Sequence, residues 1–378
     1  MLEIGFWVSL VGLCFSYFIY PLVLTVLPVR RKKALPDVKG APPIRKVSLI
    51  VTVHNEAARI REKIENCLAL EYDSLEIIVA SDASDDGTDD VVRDYGDQGV
   101  KLARADARKG KEYAQLQAIK VASGDILVFS DVATAIPEDA IRRMMRYFDD
   151  PEVGAVSSED RFLARDGRIV GEGAYVRYEM WLRKLESSRA GLVGLSGSFF
   201  AARRSVCQDW DIYSPSDFNT ALNCARVGLV AVTAPDVVGF YQDVADASRE
   251  YQRKVRTIIR GLTALSRHPE VLNPFKFRLF AFQVFGHKVM RWLAPWFGLT
   301  LFCLSVVLAK ANAVYLIALV GQLMFLGAVA VAYWMPSLRD RTLLKIPFFF
   351  VQANAAVAHA GVSFLSGRRM TVWTPSKR

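Results

Sequence analysis

The chain begins with an apolar stretch long enough to cross a lipid bilayer. Residues 6–29 contain no charged residue, and a helix of about 20 such residues spans the hydrocarbon core. A cleaved signal peptide would need a basic start and a shorter apolar core, whereas this chain starts Met-Leu-Glu and becomes basic only from Arg30 to Lys33. We therefore predict a transmembrane anchor over residues 1–33. Its basic end is expected in the cytoplasm, because Lys and Arg mark cytoplasmic flanks.

Three further apolar stretches occupy the last third of the chain. Residues 293–309 and 313–335 are each long enough for a span. Residues 346–365 have basic flanks on both sides and contain Gln352, Asn354 and His359. We expect this third stretch to lie in the interface or to re-enter the membrane, within a helical membrane region over 293–366. The basic tail, residues 367–378, would then stay in the cytoplasm.

Basic charge is concentrated at the predicted membrane edges. Residues 269–292 mix Phe and Leu with Lys, Arg and His, which is typical of an amphipathic helix on a membrane surface. The chain has 48 Lys+Arg against 39 Asp+Glu, a net charge of +9. Because residues 46–247 contain acidic and basic residues in similar numbers, membrane lipids with anionic headgroups explain this excess better than a nucleic acid does.

The middle of the chain reads as a soluble α/β domain over residues 46–268, after a proline-rich linker at 34–45. Apolar, strand-length runs alternate with stretches that have helical spacing, which indicates a mostly parallel sheet. Five cysteines without a CxxC pair exclude a disulfide scaffold. The predicted strands are 47–53, 75–80 and 125–130, and the predicted helices are 55–70, 89–95 and 113–122.

Polar and acidic residues follow each of the three predicted strands. Asn55 and Glu56 follow the first strand, Asp82 follows the second and Asp131 follows the third. Each loop alone is explained by ordinary turn and helix-cap chemistry. Together they indicate a binding site, because ligands of such sheets bind beyond the carboxyl ends of the strands. A GxGxxG fingerprint and a Walker P-loop are absent, so NAD and ATP chemistry are not supported.

Taken in order, these segments resemble the inverting family 2 glycosyltransferases, which have the GT-A fold. The likeness is greatest to the membrane-embedded branch with cellulose, chitin and hyaluronan synthases and bacterial exopolysaccharide transferases. The resemblance implies a Rossmann-like GT-A domain between an N-terminal transmembrane helix and C-terminal membrane helices, in a bacterial inner (plasma) membrane. It also implies a UDP-sugar donor and a lipid-linked or oligosaccharide acceptor. A flippase or partner subunit is left open.

The resemblance implies which residues bind the donor. Ser81 to Thr88 resembles the loop whose first carboxylate reads uracil N3, and Lys109-Gly110-Lys111 resembles an element near the phosphates. A carboxylate suits uracil because it accepts the imide N–H. The implied nucleotide-sugar-binding residues are Val53, Asn55, Glu56, Asp82, Gly110, Lys111, Asp131, Arg253 and Arg256.

The resemblance also implies a divalent cation. Ser130 to Thr134 matches an Asp-x-Asp motif in which Asp131 keeps the first acid and Ala133 replaces the second. A diphosphate leaving group is usually neutralised by Mg²⁺ or Mn²⁺ held by oxygen ligands. Asp131 is therefore the expected metal ligand, with the diphosphate supplying further oxygens.

Acceptor and base residues follow in the second half of the domain. The resemblance implies that Gly197 and Ser198, with Trp373 in the tail, contact the acceptor, and that Asp217 is the catalytic base. The family usually has a second acid before the base, where this chain has Ser216. From the residues alone, Asp217 also fits the N-terminal cap of a helix over 220–227.

The segment from Arg253 to Thr257 departs from the Gln-x-x-Arg-Trp motif of processive members, since only Arg256 is kept. Loss of the aromatic ring removes a stacking platform for a sugar. Single sugar transfer is therefore favoured, with processive polymer synthesis as the alternative. An inactive nucleotide- or lipid-binding membrane protein is an alternative of another class.

Overall fold

The computed structural model describes residues 1–30, 45–163, 174–242, 247–339 and 341–370. Its strands form one seven-stranded sheet in the order β3-β2-β1-β4-β6-β5-β7. They are β1 (Val47–Val53), β2 (Leu75–Ser81), β3 (Val100–Arg104), β4 (Ile126–Asp131), β5 (Val153–Leu163), β6 (Phe199–Arg203) and β7 (Val230–Gln242). Strand β6 runs antiparallel to β4 and β5, and the other neighbours pair in parallel. The predicted, mostly parallel sheet is confirmed.

The described residues fall into two compact units. The sheet unit is drawn from residues 27–245 and 263–281, and the helical unit from residues 1–26, 246–262 and 282–369. The α-helices in chain order are α1 (Leu2–Cys14), α2 (Tyr20–Val26), α3 (Ala57–Leu68), α4 (Thr88–Arg93), α5 (Lys111–Val121), α6 (Ala140–Tyr147), α7 (Ala174–Ser187), α8 (Ser216–Arg226), α9 (Ala247–Arg267), α10 (Pro274–Val284), α11 (Met290–Leu308), α12 (Ala313–Trp334) and α13 (Thr342–Leu365).

The sheet is buried on both faces, which explains its continuous apolar strands. In β1, Val47, Leu49 and Val51 pack into one hydrophobic cluster with side chains of α3 and α6. Ile50 belongs to a second cluster, which includes side chains of α5 and α8. Strands covered on both faces favour β-branched residues at every position rather than an alternating pattern. The three strands predicted from such runs agree with β1, β2 and β4 to within one residue at each end.

Arg30, the first residue of the basic run after the anchor, forms ion pairs within the sheet unit. Its guanidinium group lies 3.2 Å from a carboxylate oxygen of Asp150 and 2.9 Å from one of Glu152. Its backbone N–H donates to the carbonyl of Ser188 at 2.8 Å. Arg30 is therefore engaged by protein acids. Residues 31–33 and most of the predicted linker lie outside the described residues.

Within the part of the chain that the structure describes, four helical segments are long and apolar enough to cross a membrane: Leu2–Val26, Pro274–Leu308, Ala313–Trp334 and Leu343–Leu365. Helix α12 also exposes Ile317, Met324 and Trp334, which are 70%, 72% and 79% accessible. Large apolar side chains in this number are unfavourable in water and suit a lipid environment.

In the C-terminal region, α10 has a kink at Arg278, and a π-helical turn at Phe285–Val289 joins α10 to α11. Residues 342–365 form one helix. The amphipathic interface helix at 269–292, the interfacial or re-entrant placement of the last helix, the cytoplasmic side of the tail and the domain boundaries stay predictions.

Within the helical unit, glycines allow aromatic rings to approach helix backbones closely. A Cβ atom built on Gly12 in α1 would lie 2.7 Å from the ring of Phe297 in α11. One built on Gly286 would lie 2.4 Å from the ring of Tyr20 in α2. Carbon atoms in proteins pack at about 3.5–4.0 Å, so both positions require glycine for this packing.

We predict that Gly12→Ala and Gly286→Ala each destabilise the folded protein by about 1–3 kcal/mol, the usual cost of overpacking. The measurement is the thermal unfolding midpoint of the purified protein in detergent. Gly321→Ala in α12 is the matched control, since nothing lies within 4 Å of its added methyl group. Equal midpoints for all three variants would contradict this account of the packing.

Candidate active site

The loops after β1, β2 and β4 meet at one edge of the sheet. Val53 is opposite Ser81 in the β1–β2 pair, and Thr52 is opposite Asp131 in the β1–β4 pair. Parallel strands in register end together, so the loops that follow them are neighbours. This is the edge at which ligands of doubly wound sheets bind.

The loop after β1 and the loop after β2 are joined by a set of hydrogen bonds. The Asn55 side chain donates to Asp85 Oδ1 at 2.7 Å and accepts from the Asp85 N–H at 3.0 Å. The N–H of Glu56 donates to Thr88 Oγ1 at 2.9 Å. Asn55 also has a left-handed backbone, with φ of 53°. Contacts between the two loops thus hold a conformation that costs free energy in isolation.

Val53 and Asp82 are both buried by contacts within the site. The carbonyl of Val53 accepts the N–H of Asp82 at 2.9 Å. The Asp82 carboxylate is 1% exposed and accepts the backbone N–H groups of Lys109 and Gly110 at 2.9 Å each. Gly110 has a φ of 105°, which only glycine adopts easily. Asp82 therefore fixes the turn before α5, and its expected contact with uracil stays a prediction.

Lys111 links the end of β4 to the loop before β6. Its Nζ donates to Asp131 Oδ1 at 2.5 Å and to the carbonyl of Gly197 at 2.9 Å. Burial alone would lower the pKa of Lys111, but the charge of Asp131 and the hydrogen bond to it outweigh burial and raise this pKa. A charged ammonium group is thus held beside the first acid of the Asp-x-Asp position.

A second lysine, Lys63, lies under the same loop and was not recognised from the sequence. It is 3% exposed, and its Nζ donates to Ser130 Oγ at 2.9 Å and to the carbonyl of Thr134 at 2.5 Å. Burial lowers the pKa of Lys63, against the smaller opposing effects of Cys67 and Asp131. The available signal was a lysine on the apolar face of α3, where a buried partner is expected.

Asp131 fits a divalent cation only as a single protein ligand. Its side chain is 32% exposed at the site, and Ala133 offers no side-chain oxygen. Among the residues that the structure describes, no group of three His, Cys, Asp or Glu side chains is arranged to hold a metal ion. Mg²⁺ is commonly bound by one or two carboxylates together with substrate phosphates. The donor set therefore suits an ion that arrives with a diphosphate.

Residues 194–198, which we call the acceptor loop, contact the expected base. The N–H of Leu195 donates to the backbone carbonyl of Asp217 at 3.1 Å. A Cβ built on Gly197 would lie 3.1 Å from Asp217 Oδ2, so the missing side chain leaves space beside the carboxylate. The structure thus brings Gly197, one of the expected acceptor residues, next to the expected base.

Asp217 lies in the first turn of α8. The helix begins at Ser216, four residues earlier than the helix expected from the sequence, so Asp217 is not its N-cap. An acid in a first turn is favourable because helix N-termini carry partial positive charge. Glu112 Oε1 accepts the N–H of Ser216 at 3.3 Å, and this contact fixes the start of the helix.

The Ser198 hydroxyl contacts Asp160, an acid that was not predicted from the sequence as a site residue. Its Oγ donates to Asp160 Oδ1 at 2.5 Å, and Ser196 Oγ donates to the same carboxylate at 2.7 Å. Asp160 lies in β5, a strand whose place in the sheet was not predicted. The signal that could have identified it was the acidic pair Glu159-Asp160, which follows the apolar start of β5 at Val153 to Val156.

The remaining expected residues belong to the helical unit or fall outside the described residues. Arg253 and Arg256 are on the part of α9 that belongs to the helical unit. Arg256 is half-buried, and burial together with the charges of Arg260 and Arg253 lowers the pKa of Arg256. Trp373 lies outside the described residues.

Comparisons with known proteins show what this part of the chain is similar to. Residues 48–210 match the model of "Glycosyl transferase family 2". The poly-beta-1,6-N-acetyl-D-glucosamine synthase of Staphylococcus epidermidis is 28% identical over 173 residues, which is 44% of this chain and 42% of that protein. The synthase of Staphylococcus aureus (strain COL) is 28% identical over 184 residues, or 47% and 44%. The match thus spans less than half the length of these relatives.

A solved structure extends the likeness to nearly the whole chain. The mannosyltransferase PcManGT from Pyrobaculum calidifontis, in complex with GDP-Man and Mn²⁺, superposes with a TM-score of 0.71 and 22% identity, over 98% of this chain and 100% of that one. At this identity the likeness shows the fold alone, which is the expected GT-A architecture flanked by apolar helices. The family match shows a glycosyl transferase family 2 domain over residues 48–210.

Proposed function

We propose that this chain is a membrane-bound inverting glycosyltransferase that moves a sugar from a UDP-sugar to a hydroxyl of a lipid-linked or glycan acceptor. The observation that carries the proposal is the chain of contacts from Asp131 through Lys111 to Gly197 and Asp217. The proposal is supported because Lys111, a cation suited to a leaving diphosphate, and Asp217, a carboxylate suited to accept a proton, both contact the acceptor loop.

Inverting transfer needs one base and a stabilised leaving group. The acceptor oxygen attacks C1 of the donor sugar, its proton passes to Asp217, and the C1–oxygen electron pair leaves with the diphosphate. Lys111 and the N-terminus of α5, which begins at Lys111, are suited to the diphosphate charge. Breaking of the Lys111–Asp131 pair by the diphosphate would leave the Asp131 carboxylate open to a cation.

Mg²⁺ or Mn²⁺ is the proposed cofactor, with Asp131 as its protein ligand. When bound, such an ion supplies charge neutralisation for the leaving diphosphate. The proposal is supported by the single exposed carboxylate at the end of β4 and by the Mn²⁺ in the structure of the mannosyltransferase relative. We further propose that Arg253 and Arg256 contact the diphosphate and that Ser198 and Trp373 contact the acceptor.

The donor sugar proposed first is N-acetylglucosamine. The poly-beta-1,6-N-acetyl-D-glucosamine synthases match the part of the chain that holds the loops after β1, β2 and β4. Asp82 is the proposed contact to uracil, since a carboxylate can accept an imide N–H. UDP-N-acetylglucosamine is therefore the first donor to test, beside UDP-glucose, UDP-galactose and GDP-mannose.

The catalytic domain is proposed to face the cytoplasm of a bacterial plasma membrane. This orientation rests on the basic residues that follow the first apolar stretch, and four helical segments qualify as spans.

Replacing the base should abolish transfer and keep the nucleotide bound. We expect Asp217→Asn to lower the rate of UDP release at least 100-fold, within the range for loss of a general base, with UDP affinity unchanged. The rate is measured by coupled UDP detection and the affinity by calorimetry. Asp209→Asn is the matched control, because its exposed side chain pairs with Arg226 on the surface. UDP binding without release from the unmodified protein would favour the inactive binding protein.

We expect the metal dependence of UDP release to arise from Asp131. UDP release is expected to stop with EDTA and to return with Mn²⁺ or Mg²⁺. In Asp131→Asn the Mn²⁺ concentration for half-maximal release should rise at least tenfold, because a neutral amide is a weaker ligand for a hard cation. A metal titration of the variant that overlays that of the unmodified protein would exclude Asp131 as the ligand.

The products should show single transfer. Arg253 and Thr257 stand where processive members carry Gln and Trp, so the aromatic platform for a growing chain is missing. With radiolabelled UDP-N-acetylglucosamine and a short β-1,6-linked N-acetylglucosamine oligomer, we expect products extended by one sugar. A ladder or a long polymer on a carbohydrate gel would establish the processive alternative.

A further inference from the structure

Asp160 occupies a distinctive place beside the proposed site. It lies on β5, and its carboxylate accepts hydrogen bonds from the hydroxyls of Ser196 (2.7 and 2.8 Å) and Ser198 (2.5 Å). The two hydroxyls also lie 3.0 Å apart. Burial raises the pKa of Asp160, against the opposing effect of the two serine hydrogen bonds. The Asp160 carboxylate therefore binds the side chains of two acceptor-loop residues, Ser196 and Ser198, which are separated by one position.

The start of the acceptor loop is held from the same strand. The N–H of Ser196 donates to Ser157 Oγ at 2.7 Å. Arg183, on α7, donates to that Oγ at 2.8 Å and to the carbonyl of Gly194 at 2.9 Å. These contacts fix the backbone of the loop at residues 194–196. Asp160 holds Ser196 and Ser198 through their hydroxyls.

The held loop in turn contacts the proposed machinery at three points. The carbonyl of Gly197 accepts the Lys111 ammonium group at 2.9 Å. The carbonyl of Ser198 accepts the Asp131 N–H at 2.9 Å, and the N–H of Leu195 donates to the carbonyl of Asp217 at 3.1 Å. A displacement of this loop would therefore move the space beside the Asp217 carboxylate.

We propose that Asp160 is a positioning residue for transfer, which holds the acceptor loop so that the space beside Gly197 lines up with the Asp217 carboxylate. This inference rests on the proposed function. Asp160 acts through Ser196 and Ser198, and it has no part in holding the donor. Asp82, Lys109 and Gly110 make the turn at the proposed phosphate element by their own hydrogen bonds. Replacing Asp160 should thus lower kcat and leave the affinity for the nucleotide unchanged.

The test is UDP release from UDP-N-acetylglucosamine, or from whichever sugar nucleotide of the panel the protein uses, without added acceptor. Water then takes the place of the acceptor hydroxyl, and its activation still requires Asp217. Asp160→Ala is expected to lower kcat at least tenfold, and Asp160→Asn, which keeps one acceptor oxygen, to lower it less. The donor KM and the calorimetric Kd of UDP should stay within twofold of the unmodified protein.

Two comparisons separate positioning from general damage. Glu159→Gln is the matched control on the same strand, since Glu159 is 4% exposed and pairs with Arg161 and Lys184 instead of the loop. Ser198→Ala removes one of the two hydroxyls with a minimal change and serves if Asp160→Ala fails to fold. In a double variant with Ser198→Ala and Asp160→Asn, the loss of kcat should be smaller than the product of the two single losses. The reason is that residues of one hydrogen-bond network are energetically coupled.

Each possible outcome either supports or overturns the positioning role of Asp160. Loss of kcat with UDP affinity retained supports the positioning role. Unchanged kcat in Asp160→Ala and Ser198→Ala overturns it while leaving the proposed function in place. Parallel loss of kcat and UDP affinity also overturns it, because the acid would then support the whole site. Absence of UDP release from the unmodified protein, with every donor, overturns the proposed function and this inference with it.

Discussion

The proposed site depends on one buried cation. Lys111 as a whole residue is 9% exposed, so its ammonium group is largely buried. A buried charge is stable only when it is paired and hydrogen-bonded. Asp131 and the carbonyl of Gly197 meet this need. Because Asp131 ends β4 and Gly197 precedes β6, the pairing of these two strands and the position of the cation depend on each other. Neither partner could move far without leaving a buried charge exposed to an apolar environment.

The loops at this edge of the sheet are also preorganised, and here hydrogen bonds of neutral groups hold the conformation. Asn55 and Ala83 both have positive φ values, 53° and 52°, which are unfavourable for residues with a side chain. Hydrogen bonds between the two loops offset this cost, including that of the Asn55 N–H to Ser84 Oγ at 3.2 Å. Hydrogen bonds within the protein thus shape this edge, which lowers the ordering cost of binding.

The sequence predicted what is local and missed what depends on long-range pairing. Continuous apolar runs fixed β1, β2 and β4, so the loops with Asn55, Asp82 and Asp131 could be assigned to one edge. Asp160 could not be assigned, because its partners come from a loop some forty residues further on that reaches it only when β6 pairs antiparallel to β5. The start of α8 was missed because Ser216 and Asp217 fit either a cap or a first turn. Composition likewise could not show that α10 and α11 are joined.

The double attachment of the Lys111 ammonium group has a thermodynamic consequence. An anion that draws this group away from Asp131 also weakens its hold on the carbonyl of Gly197, so the donor and acceptor sides share one free-energy term. By linkage, whatever factor a bound nucleotide imposes on acceptor affinity, the acceptor imposes equally on the nucleotide. The coupling between the two proposed substrates is therefore tied to the electrostatics of a single side chain.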